Sequence, residues 1–382
     1  MLDMFIIAYP WDLIDEGVDS VLDRLHGAVG ADGVSVWAAV PPVLQLRVRP
    51  LEPRLIRSRG GLVFQPRAEY FSQSRIKPAS SHLETEAGLL QVIREGCVSR
   101  GLKFRVRVSA AGTGVLALLH PEFACRNVFG YESTRYICLS NPDVRGYLRG
   151  LVKNLAADFS PEGIVIADCA QQWFECTAVE SSVLGPADSQ ARQLLSVCFC
   201  ESCGNVAAER GVNVSAARSC LRAGLELILK GSRDAEAQRP AAADEKPELA
   251  EYHSAQAEAA ASLLRELRAA YDGDLVLDRG PASSALRKRT ELDAGIPSAV
   301  ISRIASVADA RSMFAAGARR NELRVPASLA TGAQAQELVS MLASPAAARF
   351  SGVEFDHYGE LSDAALEWVK RAIRFAKRTA SV

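Results

Sequence analysis

Gly352-Val353-Glu354-Phe355-Asp356 decides the fold, because it is the last of eight strand-like runs in the chain. Apolar and acidic residues alternate in it with the two-residue period of a β-strand, so Val353 and Phe355 share one face and Glu354 and Asp356 the other. In a strand between outer helices and a lumen, the apolar pair suits the helix side. That sends Glu354 and Asp356 inward, with Asp356 nearer the open end. Working back along the chain, strand seven reads Glu322 to Val325, strand six Ala299 to Ile304, strand five 274–278 and strand four Gly163 to Asp168. Strand three is Leu102 to Ser109, strand two 33–40 and strand one 4–9. Helical periodicity follows most of them: 16–29 with Val18, Val21, Leu22 and Leu25 on one face, then 84–99, a helix opened by Asn141-Pro142-Asp143, 247–271, 306–316, 333–344 and 362–378. Asn141 suits the cap and Pro142 the first helical position.

Repeated βα units imply parallel strands, and eight of them close a barrel whose working site is built by the loops after the strands. The fold class is therefore α/β, a single (β/α)8 TIM barrel over 1–382, with long insertions after strands two, three and four at about 43–80, 110–140 and 170–246. Within the last, Gly231 to Lys246 is polar and aperiodic and reads as a linker. An open doubly wound sheet is the alternative, but no Gly-x-Gly-x-x-Gly turn follows strand one.

Composition excludes several classes. With 382 residues, 48% hydrophobic and 23% charged, the chain can bury a large core. A net charge of −1, from 44 basic against 45 acidic residues, gives no footprint for nucleic acid or an anionic membrane. No apolar run approaches the roughly 20 residues of a membrane span, and the N-terminus lacks the positive start of a signal peptide. Nine cysteines, an odd number, favour reduced thiols and a cytoplasmic location. The expected partner is a small molecule, and nothing in the sequence sets the oligomeric state.

A set of short segments occurs in a specific order: Phe64-Gln65-Pro66, Ile76-Lys77-Pro78, His120-Pro121-Glu122, Asn127-Val128-Phe129-Gly130, Cys138-Leu139-Ser140-Asn141-Pro142-Asp143-Val144-Arg145, Leu194-Leu195-Ser196-Val197-Cys198-Phe199-Cys200 and Tyr358-Gly359. This order resembles a large bacterial group of glycoside-hydrolase-like, α-amylase-family barrel proteins. The resemblance implies a carbohydrate ligand and a hydrolase or transglycosylase reaction. In such relatives the loop after strand four carries a His-rich stretch with a Glu. Here it reads Asp168-Cys169-Ala170-Gln171-Gln172-Trp173-Phe174-Glu175-Cys176, without histidine.

Glycoside hydrolysis needs two carboxyls across the scissile bond, one to protonate the leaving oxygen and one to attack or to activate water. At strand ends the candidates are Asp168, Asp278 and Asp356, with Glu175 in the loop after strand four; Glu354 lies one turn of the pleat deeper. For each, capping a helix or pairing with an arginine is the bland alternative. Arginines are plentiful at the same level: Lys103, Arg105 and Arg107 share one face of strand three, and Arg279, Arg303 and Arg324 sit near the ends of strands five to seven. They suit either an anionic substrate, which a guanidinium grips in a fork, or the neutralisation of the acids. Tyr9, Trp11, Trp37, Trp173, Tyr358, His120 and His357 fall at or beyond strand ends and complete a candidate sugar site, Trp37 more as packing.

Cys198-Phe199-Cys200-Glu201-Ser202-Cys203 places three thiols where they converge on a tetrahedral metal. Its Cys-x-Cys-x-x-Cys spacing is similar to the structural zinc site of the tRNA-guanine transglycosylases. Cys198, Cys200 and Cys203 are the candidate ligands of a structural zinc, with Cys176, Cys220, His253 or Cys169 as the fourth. Packing of reduced thiols without metal is the alternative. The chemistry itself requires no cofactor. Three functions follow: a glycoside hydrolase or transglycosylase; a non-catalytic binder of carbohydrate or anionic ligands, which the acid-free end of strand seven (Arg324-Val325-Pro326-Ala327-Ser328) permits; or a lyase or isomerase acting on an anionic sugar.

Overall fold

The computed structural model describes residues 2–49, 54–81, 88–169, 191, 194–230, 246–281, 296–304, 306, 308–309, 321–330, 335–344, 347 and 350–380. Among the described residues, thirteen strands and ten α-helices carry its framework. The strands are β1 (Asp3–Ala8), β2 (Gly33–Val40), β3 (Val43–Leu46), β4 (Leu55–Ser58), β5 (Gly61–Leu62), β6 (Lys103–Ser109), β7 (Ala124–Arg126), β8 (Glu132–Ile137), β9 (Gly163–Ala167), β10 (Asp274–Pro281), β11 (Ala299–Arg303), β12 (Asn321–Val325) and β13 (Phe350–Phe355). The helices are α1 (Pro10–Glu16), α2 (Val18–Asp23), α3 (Leu89–Ser99), α4 (Val115–Leu119), α5 (Pro142–Phe159), α6 (Glu201–Ala208), α7 (Val214–Leu229), α8 (Pro247–Ala269), α9 (Ala335–Leu342) and α10 (Asp363–Ala380).

Eight of the strands, in the order β1, β2, β6, β9, β10, β11, β12 and β13, pair in parallel, and β13 returns to β1 with Ile6 opposite Phe355. The sheet is closed, and the fold is a (β/α)8 barrel. β5 adds antiparallel to the end of β2, while β3–β4 and β7–β8 form hairpins in the first two insertions.

Alternation along β13 sorts its side chains. Val353 belongs to the main apolar cluster, and Phe355 meets Trp368 of α10 edge-on, centroids 6.1 Å apart, whereas Glu354 and Asp356 enter the lumen. The helix expected over 16–29 starts instead at Pro10. It breaks at Gly17, where φ is +84°, resumes as α2 and ends in a π-helical turn, Arg24–Val29. Trp11 and Asp12 are therefore on the first turn of a helix and buried, not in an open loop. Asn141 caps α5 as its sequence predicts, its side-chain oxygen accepting from the backbone N–H of Asp143 at 2.9 Å and of Val144 at 3.3 Å. The 84–99 helix is described from Leu89 onward, and most of 306–316, together with 170–190 and 231–245 of the third insertion, lies outside the described residues. Among the described residues no helix is long and apolar enough to cross a membrane.

Candidate functional site

The lumen has two unlike walls. On β9, β10 and β11 it is lined by Val165, Val276, Ala299 and Ile301, the branched apolar filling that barrels ordinarily use. The opposite wall is ionic. Arg105 of β6 lies 3.8 Å over the Phe5 ring and grips Glu322 of β12 with both terminal nitrogens, at 2.7 and 3.0 Å. One level up, Arg107 is fully buried and donates to Glu354 and to Asp278. Arg324 donates to Asp278 at 2.8 Å and, through Nε, to Asp356, whose other oxygen lies 3.6 Å from Arg303. Four arginines thus meet four carboxylates in one chain of pairs, so Asp278, Asp356 and Glu354 carry their own counterions.

One carboxyl at the mouth, Asp168, stands apart from that pairing. Asp168 follows β9 in the left-handed region at φ +59°, which Asp tolerates better than most residues. Its carboxylate accepts from the Ser109 hydroxyl. The approach depends on Gly112, where a Cβ would come within 3.0 Å of Asp168 Oδ2. Burial raises the Asp168 carboxyl above its ordinary value, with the Ser109 bond working against the rise and the charge of Asp278 with it. Asp356 goes the other way: burial acts to raise it, but Arg324, His357 and Arg303 outweigh burial and hold it below the usual range. In an eight-stranded barrel the fourth and eighth strands are diametrically opposed, so Asp168 after β9 and Asp356 after β13 follow strands on opposite sides of the barrel.

The aromatic residues at the mouth pack chiefly on each other. Tyr9 stacks on Trp11 and on His357, both at 4.6 Å between centroids and nearly parallel. Trp11 donates its indole N–H to Gln45 of β3 at 2.6 Å, and Gln45 donates to Asp12 at 3.2 Å. The Trp37 indole donates to His357 Nε2 at 3.1 Å, and burial drops the His357 pKa to about 3, leaving a neutral ring. Tyr358 turns away from the lumen. Its hydroxyl donates to Glu16 at 2.9 Å and accepts from Arg24 at 2.6 Å, and Arg49 lies 4.1 Å over its ring. His120 ends α4 beside its own neighbours, Glu122 and Phe123. Arg279 lies on β10 beyond Asp278. Glu175 and Trp173 lie outside the described residues. Two mouth carboxyls went unseen in the sequence as candidates: Asp12, raised to about 6 by burial, and Glu360, raised to about 7 by burial and by Asp356 and Asp12. Position directly after a strand was the signal available for Glu360.

The thiols converge from both insertions. Sγ atoms of Cys138, Cys198, Cys200 and Cys203 all lie within 4.8 Å of one another, and those of Cys138 and Cys203 are 3.4 Å apart. A tetrahedral zinc with Zn–S bonds of about 2.3 Å spaces its sulfurs by about 3.8 Å, so the donor set fits. The fourth thiol corrects the sequence expectation. It is Cys138, brought in at the end of the β7–β8 hairpin, whereas Cys169 adjoins Asp168, Cys220 lies on α7, His253 lies on α8 and Cys176 is outside the described residues. The loop bearing Cys198 is pinned from α8, where Tyr252 and Gln256 donate to the Cys198 carbonyl at 2.7 and 2.8 Å. The Arg126 backbone N–H points at Cys198 Sγ, 3.4 Å away, as it would at a thiolate. Hydrogen bonds from Cys125 and its neighbours pull the Cys198 thiol well below its ordinary pKa, while Cys138 and Cys203 are pushed well above theirs.

No family model and no curated relative matches this chain. Solved structures do. The α-L-fucosidase isoenzyme 2 from Paenibacillus thiaminolyticus superposes with a TM-score of 0.60 at 12% identity, over 100% of this chain and 50% of that one. The PgaB (BpsB) glycoside hydrolase domain from Bordetella bronchiseptica gives 0.58 at 11% identity, covering 98% of both chains. The β-galactosidase from the Antarctic haloarchaeon Halorubrum lacusprofundi gives 0.52 at 11% identity, over 98% of this chain and 58% of that one. The likeness is one of fold. This barrel is built like those of glycoside hydrolases, and it spans about half the length of the fucosidase.

Proposed function

We propose that the mouth binds a carbohydrate and cleaves or transfers a glycosidic bond, with Asp168 as the proton donor and Asp356 as the ionised partner. One observation carries the reading: two carboxyls that follow strands on opposite sides of the barrel are displaced in opposite directions, Asp168 upward by burial and Asp356 downward, against burial, by Arg324 and its neighbours, the divergence that an acid and its ionised partner call for. Arg324 and Arg303 orient Asp356 and keep it ionised. Glu175, in the loop after Asp168, is the alternative donor, and Arg279, His120 and Trp173 are further candidates for substrate contact. A non-catalytic sugar binder is the second reading. It is favoured by the internal pairing of Asp278 and Asp356, which leaves the site electrically satisfied without a reaction.

The test is hydrolysis of a panel of aryl glycosides and aryl uronides by the full chain and by Asp168→Asn and Asp356→Asn. Each variant should lose about 10²–10⁴-fold in kcat/KM. Asp168→Asn should lose least on dinitrophenyl substrates, whose leaving group needs no proton. Equal loss on all leaving groups would remove Asp168 as the donor. Sugar binding without turnover by any form would establish the second reading instead.

We also propose that Cys138, Cys198, Cys200 and Cys203 hold a structural zinc. The support is the convergence of four thiols on a volume of one ion. Bound there, the ion would tie the β7–β8 hairpin to α6, and a reducing compartment such as the cytoplasm would keep the thiols available to it.

A further inference from the structure

Glu360 ends the short 3-10 turn Tyr358–Glu360 that follows β13, and its side chain is 38% exposed at the mouth. Its Oε1 stands 3.7 Å from Nδ1 of His357. The His357 ring is held in place by the Tyr9 stack on its face and by the Trp37 indole on its edge. Because Nε2 accepts the indole hydrogen, it carries none of its own, and the neutral ring must bear its hydrogen on Nδ1, the atom that faces Glu360. Trp37 therefore sets the tautomer of His357, whose Nδ1–H lies on the side of Glu360, 3.7 Å from its Oε1 and one small adjustment short of a hydrogen bond.

We propose that Glu360 is an additional acid–base carboxyl of the mouth, positioned by the Trp37–His357 pair to exchange a proton with a ligand bound there. It stands on the same side of the mouth as Asp356, opposite Asp168. The groups that act on it come from every element around it: Asp356 after β13 and Asp12 of α1 press its proton on, Arg303 of β11 and Arg324 of β12 oppose them, and Tyr9 and His357 are neutral neighbours. Burial adds to the first pair, and the balance lies at about 7, where a carboxyl gives and takes a proton with equal ease. The neighbouring Asp356 has its arginines and stays charged; Glu360 has none in contact among the described residues and becomes the group of the two that moves a proton.

This inference rests on the mouth being the ligand site, so its test uses no substrate. The full chain, labelled with 15N-histidine and with the His357 signals assigned by His357→Gln, is titrated from pH 5 to 9. The expected result is a neutral His357 carrying hydrogen on Nδ1 throughout, with its ring shifts moving in one step near pH 7 that disappears in Glu360→Gln. A flat response, a step that survives in Glu360→Gln, or hydrogen on Nε2 overturns the proposal. A step lost in Glu360→Gln alongside a panel that shows no hydrolysis would end the hydrolytic reading and leave Glu360 as a proton-exchanging group in a binding site.

Discussion

The barrel lumen and the thiol cluster both hold ionisable groups away from water, and they balance charge by opposite means. In the lumen each acid has an arginine: Glu322 with Arg105, Glu354 with Arg107, Asp278 with Arg107 and Arg324, Asp356 with Arg324 and Arg303. Among the described residues no ion pair involves these thiols, and hydrogen bonds from Cys125 and the neighbouring thiols are what lower the Cys198 pKa. The lumen acids find their counter-charges within the fold; the four thiols form a donor set that a metal ion would complete. Replacing Cys138 by Ser attacks that difference at its strongest point. Bound zinc should fall from about one ion per chain to none, and a chelator, which should loosen the insertions of the parent chain, should leave the variant unchanged. Undiminished zinc in Cys138→Ser would remove the cluster as a metal site.

Breaking the lumen should cost less but be felt through the whole barrel. Arg107→Met removes the nearest cation from Glu354, leaving Arg105 at 3.8 Å, and one cation from Asp278, both acids buried, and a buried ion pair that loses one partner costs about 3–5 kcal/mol. The urea midpoint should drop accordingly, and adding Glu354→Met in the same chain should recover much of the loss, because the uncompensated charge goes with it. A single variant within about 1 kcal/mol of the parent would mean that the pairs neutralise nothing that needs it.

The same contrast explains what was legible in the sequence. Strand alternation and helix caps are local, so the eight strands, the inward set of Glu354 and Asp356 and the Asn141 cap could be read from neighbouring residues. The pairing of Arg107 with Glu354 joins residues 247 positions apart, and only their types were visible, not their partnership. Cys138 escaped for the same reason, since it belongs to a different insertion from the other three thiols and no spacing rule spans the two. Asp12 was missed through a backbone error. Tyr9-Pro10 read as the end of a strand, but Pro10 with its fixed φ opens α1, and the turn carries Trp11 and Asp12 into the wall of the mouth. Glu360 sits in a three-residue turn, too short to show any period.

Asp12 offers the finest test of the comparison, because this buried acid of α1 has no arginine in contact among the described residues. Its Oδ2 accepts from Gln45 at 3.2 Å and from the Tyr9 N–H at 3.3 Å, while Oδ1 has no partner among the described residues. Gly359 crowds that orphan oxygen so closely that a Cβ there would stand 2.2 Å from it. Burial raises the carboxyl from 3.8 to about 6, against the pull of its hydrogen bonds and of the more distant Arg47 and Arg49. The folded chain thus binds this proton more tightly than the unfolded chain does. Its contribution to stability is fully present below pH 4 and is lost as pH rises through about 6, in the opposite sense to the arginine-held Asp356, whose lowered pKa contributes above the unfolded value and is lost toward acid. Asp12→Asn keeps the shape of the protonated acid and cannot ionise. Relative to the parent it should gain on the order of 2 kcal/mol between pH 4 and pH 8, read as diverging urea midpoints. Midpoints that run parallel across that range would show that Asp12 ionises as freely in the fold as outside it, and that an acid in this wall needs no arginine.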